Sequence, residues 1–360
     1  TPTSRYTPPE HFATLRPWPT PHIHHEPPMS NPPRRLFLHL GPAKTGTSAV
    51  QAVFRNLDDA RLTYPKTGQW PDGSHNLLSF ALKGWETRGT AKIPSLNTLL
   101  PAITEELNAA QTDALISSEM LCNPETYAAL RHHLADPIAG FDQVIPLITL
   151  RHPIERAASA YNQQVKDAHF GLASLPDDFL SVKIRDFLIT PFIERWQGLA
   201  DNIVFLPYHP HQSFVPRFCA AIGRPDLAPE DPGQANRSLS GKGLALLLLG
   251  NRHLPDATTR ARFFNEVVRG TKELKIWQGP SFPFSSAAVD ITMSSIVSAD
   301  LARAQNTFGI DLSGWQPQDA IALSELDAAM VRTVALEYLL GDALEADIER
   351  VLASFKGDLG

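Results

Sequence analysis

The stretch that decides the fold is "RRLFLHLGPAKTGTSAVQAVFRNL", residues 34–57. "RRLFLHLG" is a short apolar run closed by Gly41, the pattern of a strand buried on both faces of a parallel sheet. From Gly46 onward, Val50, Val53, Phe54 and Leu57 recur at helical spacing. Strand, glycine-bearing turn and helix follow one another directly, so the turn lies at the carboxyl end of the strand. A triphosphate loop reads G-x-x-x-x-G-K-[ST], with its lysine after the second glycine. In "GPAKTGTS" (41–48) Lys44 precedes Gly46, and Thr47 and Ser48 follow it. The anion site does not depend on where the lysine stands, because the N–H groups at the helix start attract an anion by themselves. Thr45, Thr47 and Ser48 add hydroxyl donors, and Gly46 lets the backbone come close to a ligand oxygen.

Working outward, further strands are expected at 114–117, 144–150 and 203–206. Helices are expected at 77–83, 96–107, 124–134, 154–165 and 179–199. The alternation predicts an α/β fold, a mostly parallel central sheet flanked by helices. From about residue 240 the pattern is helical throughout. The expected organisation is a proline-rich N-terminal arm (1–33), an α/β core (34–245) and a helical C-terminal extension (246–360). His22, His24 and His25 in the arm have no acidic or cysteine partner nearby, so no metal site is expected there.

The chain has 360 residues, 43% of them apolar, and a formal net charge of −6, which argues against nucleic acid as a partner. Cys122 and Cys219 lack the spacing of a redox or zinc motif and read as two buried thiols. The longest apolar run, 244–249, is too short for a membrane span. No charged-then-apolar leader is evident, so a cytoplasmic protein is expected. A magnesium–triphosphate site would also want an aspartate ending a neighbouring strand. The candidate strands run instead into Glu119, Arg151 and Tyr208.

A second signal is "LITLRHPIERAASAYNQ" (147–163), where a strand runs into Arg151 and Pro153 opens a helix. Ser159 stands eight residues beyond the arginine. The forked cation and the hydroxyl can hold a second phosphate at a distance from the first loop. Together the two motifs resemble the PAPS-dependent sulfotransferase family. "PAKTGTSAVQ" is similar to its 5′-phosphosulfate loop and "RHPIERAASAYNQ" to its 3′-phosphate motif, in family order. "ANRSLS" (235–240) resembles a later segment of bacterial members, and the likeness covers roughly residues 34–245.

The resemblance implies 3′-phosphoadenylyl sulfate (PAPS) as donor, 3′-phosphoadenosine 5′-phosphate (PAP) as product, and no required metal. Lys44 would then stabilise the charge that builds on the oxygen between phosphorus and sulfur. Thr45, Gly46, Thr47, Ser48, Arg151 and Ser159 would hold the donor. Arg237 and Lys242 would belong to a loop near it. Family members use a glutamate or a histidine as base. Glu119, at the end of the strand in "DALISSEML", is one candidate and His75 in "PDGSHNLLSFAL" is the other. The acceptor expected is a small molecule, carbohydrate or lipid carrying a hydroxyl or an amine, modified by a cytoplasmic bacterial enzyme. Trp70, Trp85, Phe263, Phe264 and Trp277 either stack on it or pack the core. Two other readings stand beside this one: a P-loop small-molecule kinase, and a catalytically silent nucleotide-binding relative.

Overall fold

In the computed structural model, the described residues are 33–88, 90–133, 140–200, 202–209, 213–229, 239–274, 279–316, 320–341 and 343–355. The strands are β1 (Arg35–His39), β2 (Leu62–Thr63), β3 (Thr87–Arg88), β4 (Ala91–Lys92), β5 (Asp113–Ser117), β6 (Gln143–Arg151) and β7 (Val204–Tyr208). The helices before residue 230 are α1 (Thr47–Phe54), α2 (Asn76–Leu82), α3 (Leu96–Ala110), α4 (Pro124–His133), α5 (Pro153–Lys166), α6 (Pro176–Lys183), α7 (Ile189–Glu194) and α8 (Phe214–Ala221). After it come α9 (Gly241–His253), α10 (Ala257–Leu274), α11 (Ser286–Thr292), α12 (Ser298–Phe308), α13 (Glu325–Tyr338) and α14 (Leu344–Ser354).

The main sheet runs β2-β5-β1-β6-β7, and every pairing in it is parallel. β1 is central: His39 faces Ser117 of β5 on one side and Leu147 of β6 on the other. Leu36, Leu38, Leu115, Ile116, Leu147 and Ile148 are buried, as strands covered on both faces require. β3 and β4 form a separate antiparallel pair. The chain first lays β2 and β5 to one side of β1, then crosses to β6 and β7 on the other. The turns leaving β1 and β6 therefore diverge and open a crevice at the carboxyl edge. That edge carries the loop after β1, Glu119 after β5, Arg151 at the end of β6 and Tyr208 at the end of β7.

The short strands β2, β3 and β4 and helix α8 were not expected, and three further points differ from the sequence pattern. The single helix expected over 179–199 is broken into α6, a 3₁₀ turn (Ile184–Phe187) and α7. Asp300 of α12 accepts from the Ile189 and Thr190 N–H groups at 2.7 and 3.0 Å, so a buried carboxylate from far along the chain caps a new helix start. The expected boundary between 245 and 246 falls inside α9, whose Leu244, Leu246 and Leu248 are fully buried. They share one cluster with Ile154, Tyr161 and Val165 of α5 and with Val331 and Leu352 of α13 and α14, so the C-terminal helices brace α5. Cys219 is buried as expected, but Cys122 is only partly so. Residues 1–32, Arg237 and Trp277 lie outside the described residues. Among the described residues no helix is long and apolar enough to cross a membrane.

Candidate functional site

The loop after β1 is built from within. Thr45, wholly buried, donates from Oγ1 to the Pro42 carbonyl at 2.6 Å and closes the turn. Gly46 begins α1 at φ 85°, where a Cβ would lie 2.8 Å from the Tyr208 ring and 2.9 Å from Phe214, so only glycine fits. Lys44 is also left-handed, at φ 73°, a conformation that costs a non-glycine residue about 1–2 kcal/mol. Such strain persists where the surroundings over-determine it. Here Arg151 Nη1 donates to the Lys44 carbonyl at 2.8 Å.

Arg151 is itself held on three sides. Its Nε donates to Glu155 at 3.2 Å, its guanidinium lies 5.2 Å from the Tyr208 ring centroid, and its Nη1 braces the loop. Glu155 is in the first turn of α5 and its side chain is only 1% exposed, so a desolvated carboxylate fixes the direction of the arginine. Continuing by fours along the helix brings Ser159 and then Gln163 to the same face. Gln163 Oε1 accepts from Lys44 Nζ at 2.9 Å. The loop and α5 are thus joined at two points, by the backbone and by the side chain of the same lysine.

Between them lies a cavity of about 620 Å³. Lys44, Gly46, Thr47, Ser48, Glu119, Arg151 and Ser159 line it, so most of the residues named from the sequence converge. Asn162, Gln163, Lys166 and Tyr208 line it too and were not anticipated. The first three follow Ser159 on the helix that the second motif opens, and that helical face could have been extended from the sequence. Burial lowers the Lys44 ammonium's pKa below the ordinary range; Glu119 opposes that shift and Arg151 adds to it. Lys166 is lowered to about 8, by burial first and by Lys44 second.

The two candidate bases part company. Glu119 opens a 3₁₀ turn at the cavity wall, and it accepts from Gln51 Nε2 at 3.2 Å and Asn76 Nδ2 at 3.4 Å. Ser118 stands behind it, donating to Asn76 Oδ1 at 2.6 Å. His75 is fully buried and does not line the cavity. Its Nε2 donates to the Pro65 carbonyl at 2.9 Å and its Nδ1 accepts from the Ser117 N–H at 3.1 Å, so both ring nitrogens are committed. Burial pushes its pKa down to about 4, which leaves the ring neutral. The histidine staples the 65–75 segment to β5. Lys242 is paired with Asp327 of α13 at 2.8 Å and does not line the cavity. Thr45 serves inside the turn rather than on the wall. None of Trp70, Trp85, Phe263 and Phe264 reaches the cavity; Trp85 stacks on Phe80, and Phe263 packs in the core beneath α9.

No protein-family model matches the chain, and no curated protein does. Among solved structures, the chain is similar to a sulfotransferase from Alicyclobacillus acidocaldarius, with a TM-score of 0.37 and 18% identity over 70% of this chain and 98% of that one.

Proposed function

We propose that the chain transfers a sulfuryl group from PAPS to a hydroxyl, or an amine, of a small-molecule, carbohydrate or lipid acceptor. The observation that supports this best is the 2.8 Å bond from Arg151 to the Lys44 carbonyl. One guanidinium ties the loop at the start of α1 to the helix that carries Ser159, so two anion subsites share one wall. A nucleotide phosphorylated at both its 5′ and 3′ ends has two such anions. The cradle at Gly46, which a Cβ would fill, suits the close approach of the 5′ group to the helix start. Arg151 and Ser159 would take the 3′-phosphate.

When bound, the donor supplies an activated sulfuryl group whose leaving oxygen belongs to the 5′-phosphate. Lys44 carries its charge on the loop that would hold that group, with Gln163 restraining the ammonium. Such a cation acts on the charge that develops as the S–O bond breaks. Glu119 would take the proton of the acceptor O–H as that oxygen bonds to sulfur and the bond from sulfur to the 5′-phosphate oxygen breaks. Gln51 and Asn76 keep the carboxylate turned to the cavity.

Calorimetry tests the donor. PAP without magnesium is expected to bind at micromolar concentration, and Arg151→Ala to weaken it ~10-fold or more, about 1.4 kcal/mol or more. Binding of ATP with magnesium and none of PAP would overturn the reading.

A second expectation concerns pH. In the free protein Lys166 loses its proton near pH 8, whereas a bound polyanion favours the protonated form. PAP affinity is therefore expected to fall as pH rises through that range, by ~10-fold between pH 7.5 and 9.5. Titration of wild type beside Lys166→Met checks this: the variant should show a flatter profile, and equal slopes would remove Lys166 from the effect.

A further inference from the structure

α5 runs along the main cavity like a ruler. Ser159 lines it toward the amino end, Gln163 holds the Lys44 ammonium one turn further on, and Lys166 lines it from the last turn. The three share one helical face, and Lys166 lies about 10 Å along the axis from Ser159. Among the described residues Lys166 makes no hydrogen bond and no ion pair. The charge that acts on it is that of Lys44, of the same sign, and no carboxylate offsets it; burial and that repulsion lower its pKa to about 8. Complementing the helix end would not require this, because a lysine there can carry its ammonium into water on a flexible stem. The rest of the wall is hydrophilic. Among the described residues its apolar side chains are no larger than Ala43 and Ala49, and its one aromatic is Tyr208. That ring is already engaged by the Arg151 guanidinium at 5.2 Å and by the edge of Phe214 at 5.4 Å.

We propose that Lys166 binds an anionic group of the acceptor, so that the substrate is a hydrophilic hydroxyl compound already carrying a carboxylate or a phosphate, a sugar acid or sugar phosphate, and not a phenol or a lipid. The inference rests on the donor reading above, with the 3′-phosphate at Arg151 and Ser159 and the 5′ group at the loop. Those two anions take up the cavity from Ser159 to Lys44. In-line transfer needs the acceptor oxygen on the side of the sulfur opposite the leaving oxygen, hence past Lys44. Lys166 is the next cation on α5 in that direction. An acceptor anion there pairs the free ammonium and offsets its repulsion from Lys44. An apolar acceptor would leave the lysine unpaired and would find no apolar wall to cover it. The transfer step is the one given above: the acceptor oxygen bonds to sulfur, the bond from sulfur to the 5′-phosphate oxygen breaks, and the acceptor proton passes to Glu119.

The test measures label transfer from PAPS by the full chain to D-glucuronate, D-glucose 6-phosphate, D-glucose and 2-naphthol. For at least one of the two anionic sugars kcat/KM is expected to exceed that for glucose by ~10-fold or more, the worth of a charge-assisted contact, with 2-naphthol no better than glucose. Which anionic sugar is preferred tells carboxylate from phosphate. Lys166→Met should bring the anionic and neutral sugars within ~2-fold of each other, and Lys166→Arg should keep the preference. Because the readout is a ratio, any change in donor affinity cancels. Equal transfer to glucose, faster transfer to 2-naphthol, transfer to neither anionic sugar, or a preference that survives Lys166→Met overturns the inference. Calorimetry with PAP on the same protein separates the two failures. If PAP binds, the donor reading stands and the inference alone is lost; if PAP does not bind, both fall.

Discussion

Lys44→Met is expected to lower turnover by ~10²–10³-fold while changing PAP affinity by less than ~10-fold, the signature of a group that acts on developing charge. The argument turns on how the lysine is held. Its backbone is left-handed at φ 73° and its carbonyl is gripped by Arg151, so removing the side chain leaves the loop braced. Its Nζ reaches Gln163 at 2.9 Å, across the mouth between the loop and α5. PAP lacks the sulfuryl group and its bridging oxygen, so product binding draws on only part of what the ammonium provides. Steady-state kinetics with labelled PAPS, beside calorimetry with PAP, separates the two effects. An unchanged turnover with weakened PAP binding would make Lys44 a binding residue alone. The same melting temperature in both proteins is expected, because no core contact is lost.

The loop was legible because everything that makes it is local. An apolar strand, a glycine at a tight approach and a helical period lie within two dozen residues, and the structure places them as β1, turn and α1. Arg151 and Ser159 were legible for the same reason, since strand end, Pro153 and helix spacing all sit in one motif. What stayed hidden was the commitment of polar groups across the chain. His75 has the right kind of ring for a base, but its two nitrogens are taken by Pro65 and Ser117, the latter 42 residues away. No local pattern records that pairing. The break before α7 has the same origin, a carboxylate 111 residues downstream at the Ile189 N–H. The 244–249 run straddles the boundary expected between 245 and 246. It is the centre of a cluster that joins α5 to the C-terminal helices, so hydrophobicity was visible there but not the partners it serves. Asn162 and Lys166 share one helical face with Ser159 and Gln163, and only the fold turns that face toward a cavity.

Glu119→Gln is expected to reduce turnover by ~10²–10⁴-fold with PAP affinity unchanged or slightly improved. The glutamine keeps the size of the side chain and one carbonyl oxygen for the amides of Gln51 and Asn76, but it cannot take a proton. Removing a negative charge from a cavity that would hold a polyanion cannot weaken the nucleotide electrostatically. A base role and a mere scaffold role therefore diverge: the first removes turnover and spares binding, and the second disturbs both or neither. His75→Asn supplies the contrast. It breaks one or both bonds that pin the 65–75 segment to β5, so a lower melting temperature is expected with turnover per folded molecule largely retained. Should His75→Asn lose turnover without losing stability while Glu119→Gln stays active, the proton would have to reach the buried ring. That would require the 65–75 segment to leave β5 during the reaction, and hydrogen exchange at the Ser117 amide, which donates to His75 Nδ1, would report the opening.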